Sequence, residues 1–407
     1  MRVAIMTAGS RGDVAPYTGL GQALARAGHQ VTLVTHARFE PLVAGTELRF
    51  HPLPVDPRAE LHSSRGRGLH RSATGVGKLM RVAALARAVV GRMTDDLVAA
   101  ARASDVLLLS SSLGPIGRTI AEGLRLPCLG LYLQPLAPTR EFAPPVLGAA
   151  SWGALGNRFA GHGVNLLMER IFASTVPSVR TRLGLPRGNR AGRALPVLHG
   201  FSPLVVPRPR DWPSGLDVTG YWWPYDRDQL LPARIEEFLD AGEPPVFVGL
   251  GSATVPDPAA LSAEIVRALR RAGLRGVFQR GWGGLAADGA DMLTVDEVPH
   301  SALFPRMAAV LHHAGAGTTA AGLRAGVPAV PVPIQFDEGF WAERLVTLGV
   351  APRRVPLRAL TAQVLAPALD RAVRDPAHRE RAQALGLRIR QEDGTAPVLA
   401  AVERLAG

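Results

Sequence analysis

Two stretches of this chain carry residue types at spacings that do chemistry. The first is His313-Ala-Gly-Ala-Gly-Thr-Thr319, entered from the apolar run Ala309–His312 and followed by a helical pattern from Thr318 to Ala325. A strand, a small-residue turn and a helix start make an anion site. The first amide N–H groups of a helix lack internal partners, and the helix dipole places partial positive charge there. Gly315 and Gly317 let the backbone approach a phosphate, Thr318 and Thr319 supply hydroxyls and His313 a ring N–H: a pyrophosphate cradle without the lysine of a P-loop. The same residues also suit an ordinary tight turn with His313 as a cap, and the sequence leaves both readings open. The second stretch is Gly9-Ser-Arg-Gly-Asp-Val-Ala-Pro16, directly after the apolar run Val3–Thr7. It lacks the G-x-G-x-x-G spacing of a dinucleotide fingerprint. It sets Asp13 in the first turn of a helix at a sheet's carboxyl edge, where a carboxylate accepts a proton from a hydroxyl or simply caps the helix.

Further sets lie around these two. Pro331-Val-Pro-Ile-Gln-Phe-Asp-Glu338 brings two adjacent carboxylates, Asp337 and Glu338, to a strand's carboxyl end, where they can hold sugar hydroxyls or cap the next helix. Trp282, in Arg280-Gly-Trp-Gly-Gly284, and the loop Asp296–Ser301 suit a flat base, although an isolated tryptophan also packs. Ser10, Leu113, Phe142 and Val146, with Pro144, Pro145, Leu147 and Trp152, suit an apolar pocket or helix packing. Asp226-Arg-Asp228 spells a metal-binding D-x-D, but sits in a Pro/Trp-rich connection and reads as a solvated loop. No His/Cys set has zinc spacing, and Ser110–Ser112 lacks the G-x-S-x-G elbow of serine hydrolases.

The elements that position these residues follow from the apolar periodicity. Buried-type runs at Val3–Thr7, Val31–Thr35, Leu48–Leu53, Asp105–Ser110 and Cys128–Leu133 alternate with helical patterns, which predicts a parallel, doubly wound sheet. A helical pattern over Trp152–Leu183, broken near Pro177, leads into a Pro/Trp-rich connection. The alternation then restarts: strands at Val246–Leu250, Gly276–Gln279, Met292–Val295, Ala309–His312 and Ala329–Val332, then helices Glu338–Leu348, Leu360–Ala372 and Ala377–Leu405. Two such domains facing each other make a cleft where the carboxyl ends of both sheets meet.

The bulk numbers agree. A chain of 407 residues, 47% apolar and 20% charged, is a globular protein of two domains. The net charge of +12 is almost all arginine, with Lys78 the only lysine, and favours anionic partners. No nucleic-acid module is spelled out. The basic segment from Arg58 to Arg92 suits a flap meeting a carboxylated substrate or an acidic membrane, or a solvated loop and helix face. Cys128 is the sole cysteine, which fits a reducing cytoplasm. The N-terminus lacks a signal-peptide pattern and no apolar window is long enough to span a bilayer.

Gly9-Ser-Arg-Gly-Asp-Val14, Gly220-Tyr-Trp-Trp223, Val298-Pro-His-Ser-Ala-Leu-Phe-Pro305 and His313–Thr319 occur together and in order. With them the chain resembles a bacterial family-1 glycosyltransferase of the GT-B fold, in the branch that acts on glycopeptide antibiotics, polyketides and sterols. The resemblance implies two Rossmann-like domains: 1–200 binding the acceptor, a connection over 201–243, 244–385 binding the nucleotide sugar, and a helix over 386–407 packing back toward the first domain. It implies an inverting transfer from a UDP- or dTDP-sugar to a hydroxyl of a hydrophobic aglycone, with no metal and no cofactor beyond the donor. Asp13 matches the general base. Ser252, His313, Gly315, Gly317 and Thr318 match the diphosphate site, Trp282 and Val298 the nucleoside pocket, and Asp337 and Glu338 the sugar pair. Glu338 stands where the family usually has glutamine. The implied partners are the donor and the acceptor, with the protein a monomer or weak homodimer. A nucleotide-sugar epimerase or hydrolase, or a non-catalytic nucleotide-binding activator, fits the same scaffold.

Overall fold

In the computed structural model, residues 1–56, 58–59, 91–172, 175–186, 195–226 and 230–405 are described. Short runs rich in β-branched residues and leucine, buried on both faces except at the two edges of the first sheet, form two all-parallel sheets. The first has the order β3-β2-β1-β4-β5-β6-β7, built from β1 (Arg2–Met6), β2 (Gln30–His36), β3 (Arg49–Leu53), β4 (Val106–Leu109), β5 (Cys128–Tyr132), β6 (Val197–His199) and β7 (Leu216–Val218). The second has the order β10-β9-β8-β11-β12, from β8 (Val246–Gly249), β9 (Gly276–Gln279), β10 (Met292–Val295), β11 (Ala309–His312) and β12 (Ala329–Pro331). Val3 pairs with both Val31 and Val106, and Val246 with both Gly276 and Ala309. The winding direction therefore reverses between β1 and β4, and again between β8 and β11. Such switch points open a crevice at the strands' carboxyl ends.

Those ends face each other. The helix after β1 meets the helix after β11, the loop after β2 meets that after β9, and the loop after β5 meets the helix after β12. Two apolar layers cover the first sheet, and two cover the second. A further cluster joins Phe201, Val205, Trp212 and Tyr221 to Leu323, Trp341, Leu345 and Ile389 of the second domain. The stretch read as a semi-rigid connection is thus partly a packed interdomain core, and β7 within it belongs to the first sheet.

One helical expectation holds with its break shifted by a few residues, and one is corrected. The run over Trp152–Leu183 is two helices, Gly153–Phe172 and Thr175–Arg182, and Pro177 lies inside the second helix, in a first turn that needs no amide there. The run Ala377–Leu405 is also two helices, Pro376–Ile389 and Ala396–Arg404. Gly394 separates them by close approach to the connection: a Cβ there would lie 2.5 Å from the Tyr221 carbonyl oxygen. Beyond it Val398, Ala401 and Val402 fill the first domain's core beside Leu20 and Leu24. Among the described residues no helix is long and apolar enough to cross a membrane. Most of the Arg58–Arg92 segment, and Asp228, lie outside the described residues.

Candidate active site

Asp13 is not the helix cap. The helix Arg11–Arg26 begins earlier, with Ser10 as its N-cap, and Asp13 is the third helical residue of a capping box. Its Oδ2 accepts from the Ser10 amide at 2.8 Å and the Ser10 hydroxyl at 2.9 Å. The other oxygen has no partner among the described residues. Gly9, at φ 145°, leaves room for this carboxylate, since a Cβ there would stand 2.4 Å from Oδ2. The Gly9 amide donates to His36 Nε2 at 3.1 Å, and Thr7 Oγ1 donates to the Asp13 carbonyl at 2.7 Å, so the turn is held from two strands. Burial raises the Asp13 pKa above the ordinary carboxylate value, and the two Ser10 donors pull it partly back. A fixed, desolvated carboxylate with one free oxygen is a competent proton acceptor.

Across the cleft, β11 runs into a turn that cannot be an ordinary extended exit. Ala314 takes φ 65°, with its amide donating to His312 Nδ1 at 3.1 Å. Gly315 then caps the helix Ala316–Ala325. The His313 ring is wedged between two glycines: a Cβ on Gly315 would lie 2.3 Å from its Nε2, and one on Gly251 2.7 Å from its Cε1. Burial pushes its pKa down to about 4, so the imidazole is neutral at pH 7. In the first turn of the helix, Thr319 Oγ1 is buried with no hydrogen-bond partner among the described residues, while Gly317 is exposed and Thr318 half-buried. A Cβ on Gly317 would be 4.0 Å from the Gly12 Cα, so two helix N-termini converge on one space. Ser252 sits on the neighbouring turn after β8, where the Gly251 carbonyl accepts from the Trp282 amide at 2.9 Å.

The remaining donor-side residues divide. Asp337 caps the helix Glu338–Thr347, and its Oδ2 accepts from Trp341 Nε1 at 2.7 Å. Burial raises its pKa, and the charge of Asp13 adds to the rise, which places the two carboxylates in one electrostatic neighbourhood. Glu338 is buried, with Oε2 accepting from the Ile334 and Gln335 amides at 2.6 and 2.7 Å. That oxygen holds the loop before the helix. The half-buried Trp282 has the Arg38 guanidinium of the first domain 5.3 Å from its ring centre, and the Val298 side chain packs beside Phe304 and Val295.

The amino-terminal part, residues 3–142, matches the glycosyltransferase family 28 N-terminal domain, and residues 281–403 match the erythromycin biosynthesis protein CIII-like C-terminal domain. The O-mycaminosyltylonolide 6-deoxyallosyltransferase of Streptomyces fradiae is 34% identical over 417 residues, covering 100% of this chain and 98% of that protein. This chain belongs to the GT-B glycosyltransferases. A sterol 3-beta-glucosyltransferase of Emericella nidulans is 32% identical over 99% of the chain, but the chain spans only 30% of that protein's length. The glycosyltransferase VinC, solved with dTDP, superposes with a TM-score of 0.68 at 23% identity over 100% of this chain and 99% of that one, a likeness of fold.

Within this GT-B frame the acceptor-side residues are scattered in role. Ser10 is engaged with Asp13. Leu113 is buried in the first domain's core beside Met6 and Leu109. The Phe142 ring lies 5.2 Å from that of Phe340, bridging the domains, and Val146 belongs to a 3-10 turn packed on the helix Glu338–Thr347. Asp226 accepts from the Ser301 hydroxyl and sits near Arg324. His36 and Arg38 were not picked out from sequence, whereas Thr319 was, as a second hydroxyl donor of the phosphate turn. His36 had a signal, a polar residue closing an apolar strand at the switch point. Arg38 had none, because its partner is 244 positions away in the other domain.

Proposed function

We propose that the protein is an inverting glycosyltransferase that moves a hexose or deoxyhexose from a UDP- or dTDP-sugar to a hydroxyl of a hydrophobic small molecule. The observation that carries this reading is the convergence of two helix N-termini, one bearing Asp13 and the other the His313–Thr319 turn. Asp13 takes the acceptor's hydroxyl proton as that oxygen bonds to the anomeric carbon, and the carbon–oxygen bond to the nucleoside diphosphate breaks on the opposite face. Negative charge grows on the leaving diphosphate. The free amides of the helix Ala316–Ala325, Thr318, His313 and Ser252 stabilise it, so the reaction needs no metal. Asp337 orients the sugar hydroxyls, Glu338 holds their loop in place, and Trp282 and Val298 frame the nucleoside. Support for the donor comes from the dTDP bound to VinC, and for the acceptor from the sterol and macrolide relatives, by analogy in both cases.

Calorimetric titration with UDP and dTDP, with and without magnesium, tests the donor half. Metal-independent binding of one nucleotide, weakened at least tenfold by His313→Ala, is expected. Binding of neither, or binding indifferent to His313→Ala, rejects the cradle. Incubating the matching nucleotide sugar with panels of sterol and polyketide alcohols tests the acceptor half. Donor consumption without any acceptor points to an epimerase or hydrolase, and binding without turnover to an activator.

A further inference from the structure

The helix Gly153–Phe172 is mounted inside out. It docks through Leu167, which packs on the first domain's core, and otherwise through small and polar residues: Asn157 is buried, its Nδ2 donating to the Arg140 carbonyl at 3.2 Å and its Oδ1 accepting from the Trp152 amide at 2.9 Å. Gly161 presses on Pro138, where a Cβ would come within 2.8 Å of the proline Cα. At roughly 100° per residue, Leu155, Phe159 and Leu166 fall within about 40° of one another on the opposite side. Their exposures are 63%, 73% and 50%, with Trp152, just before the first turn, at 53%. An isolated exposed leucine is unremarkable in a soluble protein, but a line of large apolar side chains on one helix face marks a contact surface.

The charge around this face selects the occupant. Arg158 and Arg170 are exposed on the same helix, against the single acid Glu169, in a chain of net charge +12. Two copies paired through this stripe would bring their arginines and their net charges together. An anionic lipid surface instead accepts the apolar line below the headgroups while the arginines pair with phosphates. We infer that the helix Gly153–Phe172 seats the protein on an anionic membrane, its Trp152–Leu166 stripe entering the interface.

Co-sedimentation with phosphatidylcholine vesicles, with and without phosphatidylglycerol, tests this. Binding is expected to the anionic vesicles and not the zwitterionic ones, and to fall as salt is raised. Phe159→Ser with Leu155→Ser should weaken it at least roughly a hundredfold, since two large side chains then fail to enter the interface. Both positions are exposed, so the variant's thermal unfolding should match that of the parent. No binding to anionic vesicles overturns the inference, as does binding that the double variant retains. Equal binding to both vesicle types overturns the charge argument. A concentration-dependent dimer that the double variant abolishes would make the stripe a self-interface instead. None of these readouts depends on nucleotide or turnover.

Discussion

At the scale of single residues, the argument turns on Asp13. Its free oxygen, Ser10 clamp and raised pKa suit a base that works ionised. Asp13→Asn keeps an acceptor oxygen for the Ser10 donors and removes the basic function. Turnover should fall by about 10²–10⁴, with nucleotide affinity by calorimetry nearly unchanged. Equal losses in both would make Asp13 a structural residue. The parent's rate should decline on acidification with an apparent pKa above the ordinary carboxylate value, a limb absent from the variant's residual rate. The positions of Asp13, His313, Gly315 and Thr318 were legible in sequence because each belongs to one continuous turn, whose local chemistry is complete within a few residues. The clamp on Asp13 was not, since Asp13 by itself read as a cap until the helix start at Arg11 showed that Ser10 holds that place. Arg38 over Trp282 was invisible for a different reason: only the folding of two domains brings them together.

At the scale of elements, Glu338 ties a loop to a helix. Glu338→Ala leaves two amides, those of Ile334 and Gln335, without their acceptor, which should cost about 2–4 kcal/mol in denaturant unfolding. Glu338→Gln retains an amide oxygen for both and should stay within about 1 kcal/mol. Matching losses in the two variants would show that the negative charge, rather than the oxygen, holds the loop. The phosphate turn makes a sharper case. In Gly315→Ala the added methyl would overlap His313 Nε2, so the ring must leave its slot between Gly251 and Gly315. Nucleotide binding should weaken about as much as in His313→Ala, and the double variant should add little; full additivity would place the two residues in separate sites. Strands were legible because parallel strands buried on both faces read as continuous apolar runs. The bounds of Gly276–Gln279, Met292–Val295 and Ala309–His312 coincide with expectation. The break at Gly394 was overlooked although Asp393-Gly-Thr-Ala-Pro397 signals it locally: Asp393 Oδ1 accepts from the Thr395 and Ala396 amides at 2.9 and 3.1 Å, and the backbone of Gly220 and Tyr221 fits only a glycine there.

At the scale of the whole molecule, two doubly wound sheets were readable from strand–helix alternation, whereas the bond between them was not. The Phe201–Tyr221 stretch looked like a linker because proline and tryptophan punctuate it, and only the fold shows those aromatics buried against Trp341 and Ile389. Burial on this scale has a titration consequence. His36, His199, His300 and His313 are held near a pKa of about 4 and His312 near about 3, each chiefly by loss of solvation, against an ordinary 6.5. Their folded-state pKa values lie below the unfolded value, so on acidification the unfolded chain binds protons first. Stability is therefore complete above about pH 6.5 and declines as pH falls toward 4. Asp13, Asp337 and Glu392, whose pKa values burial raises, act in the opposite sense, and the five histidines outnumber them. Both sheets contribute histidines to the set, so the loss should reach both domains. The urea midpoint should fall steadily between pH 6.5 and 4.5, before most carboxylates protonate, and nuclear magnetic resonance should show these imidazoles still neutral at pH 5.5 in the folded protein. A midpoint flat across that interval would mean that the histidines are solvated in the fold and that the packing around β2, β6 and β11 is looser than described.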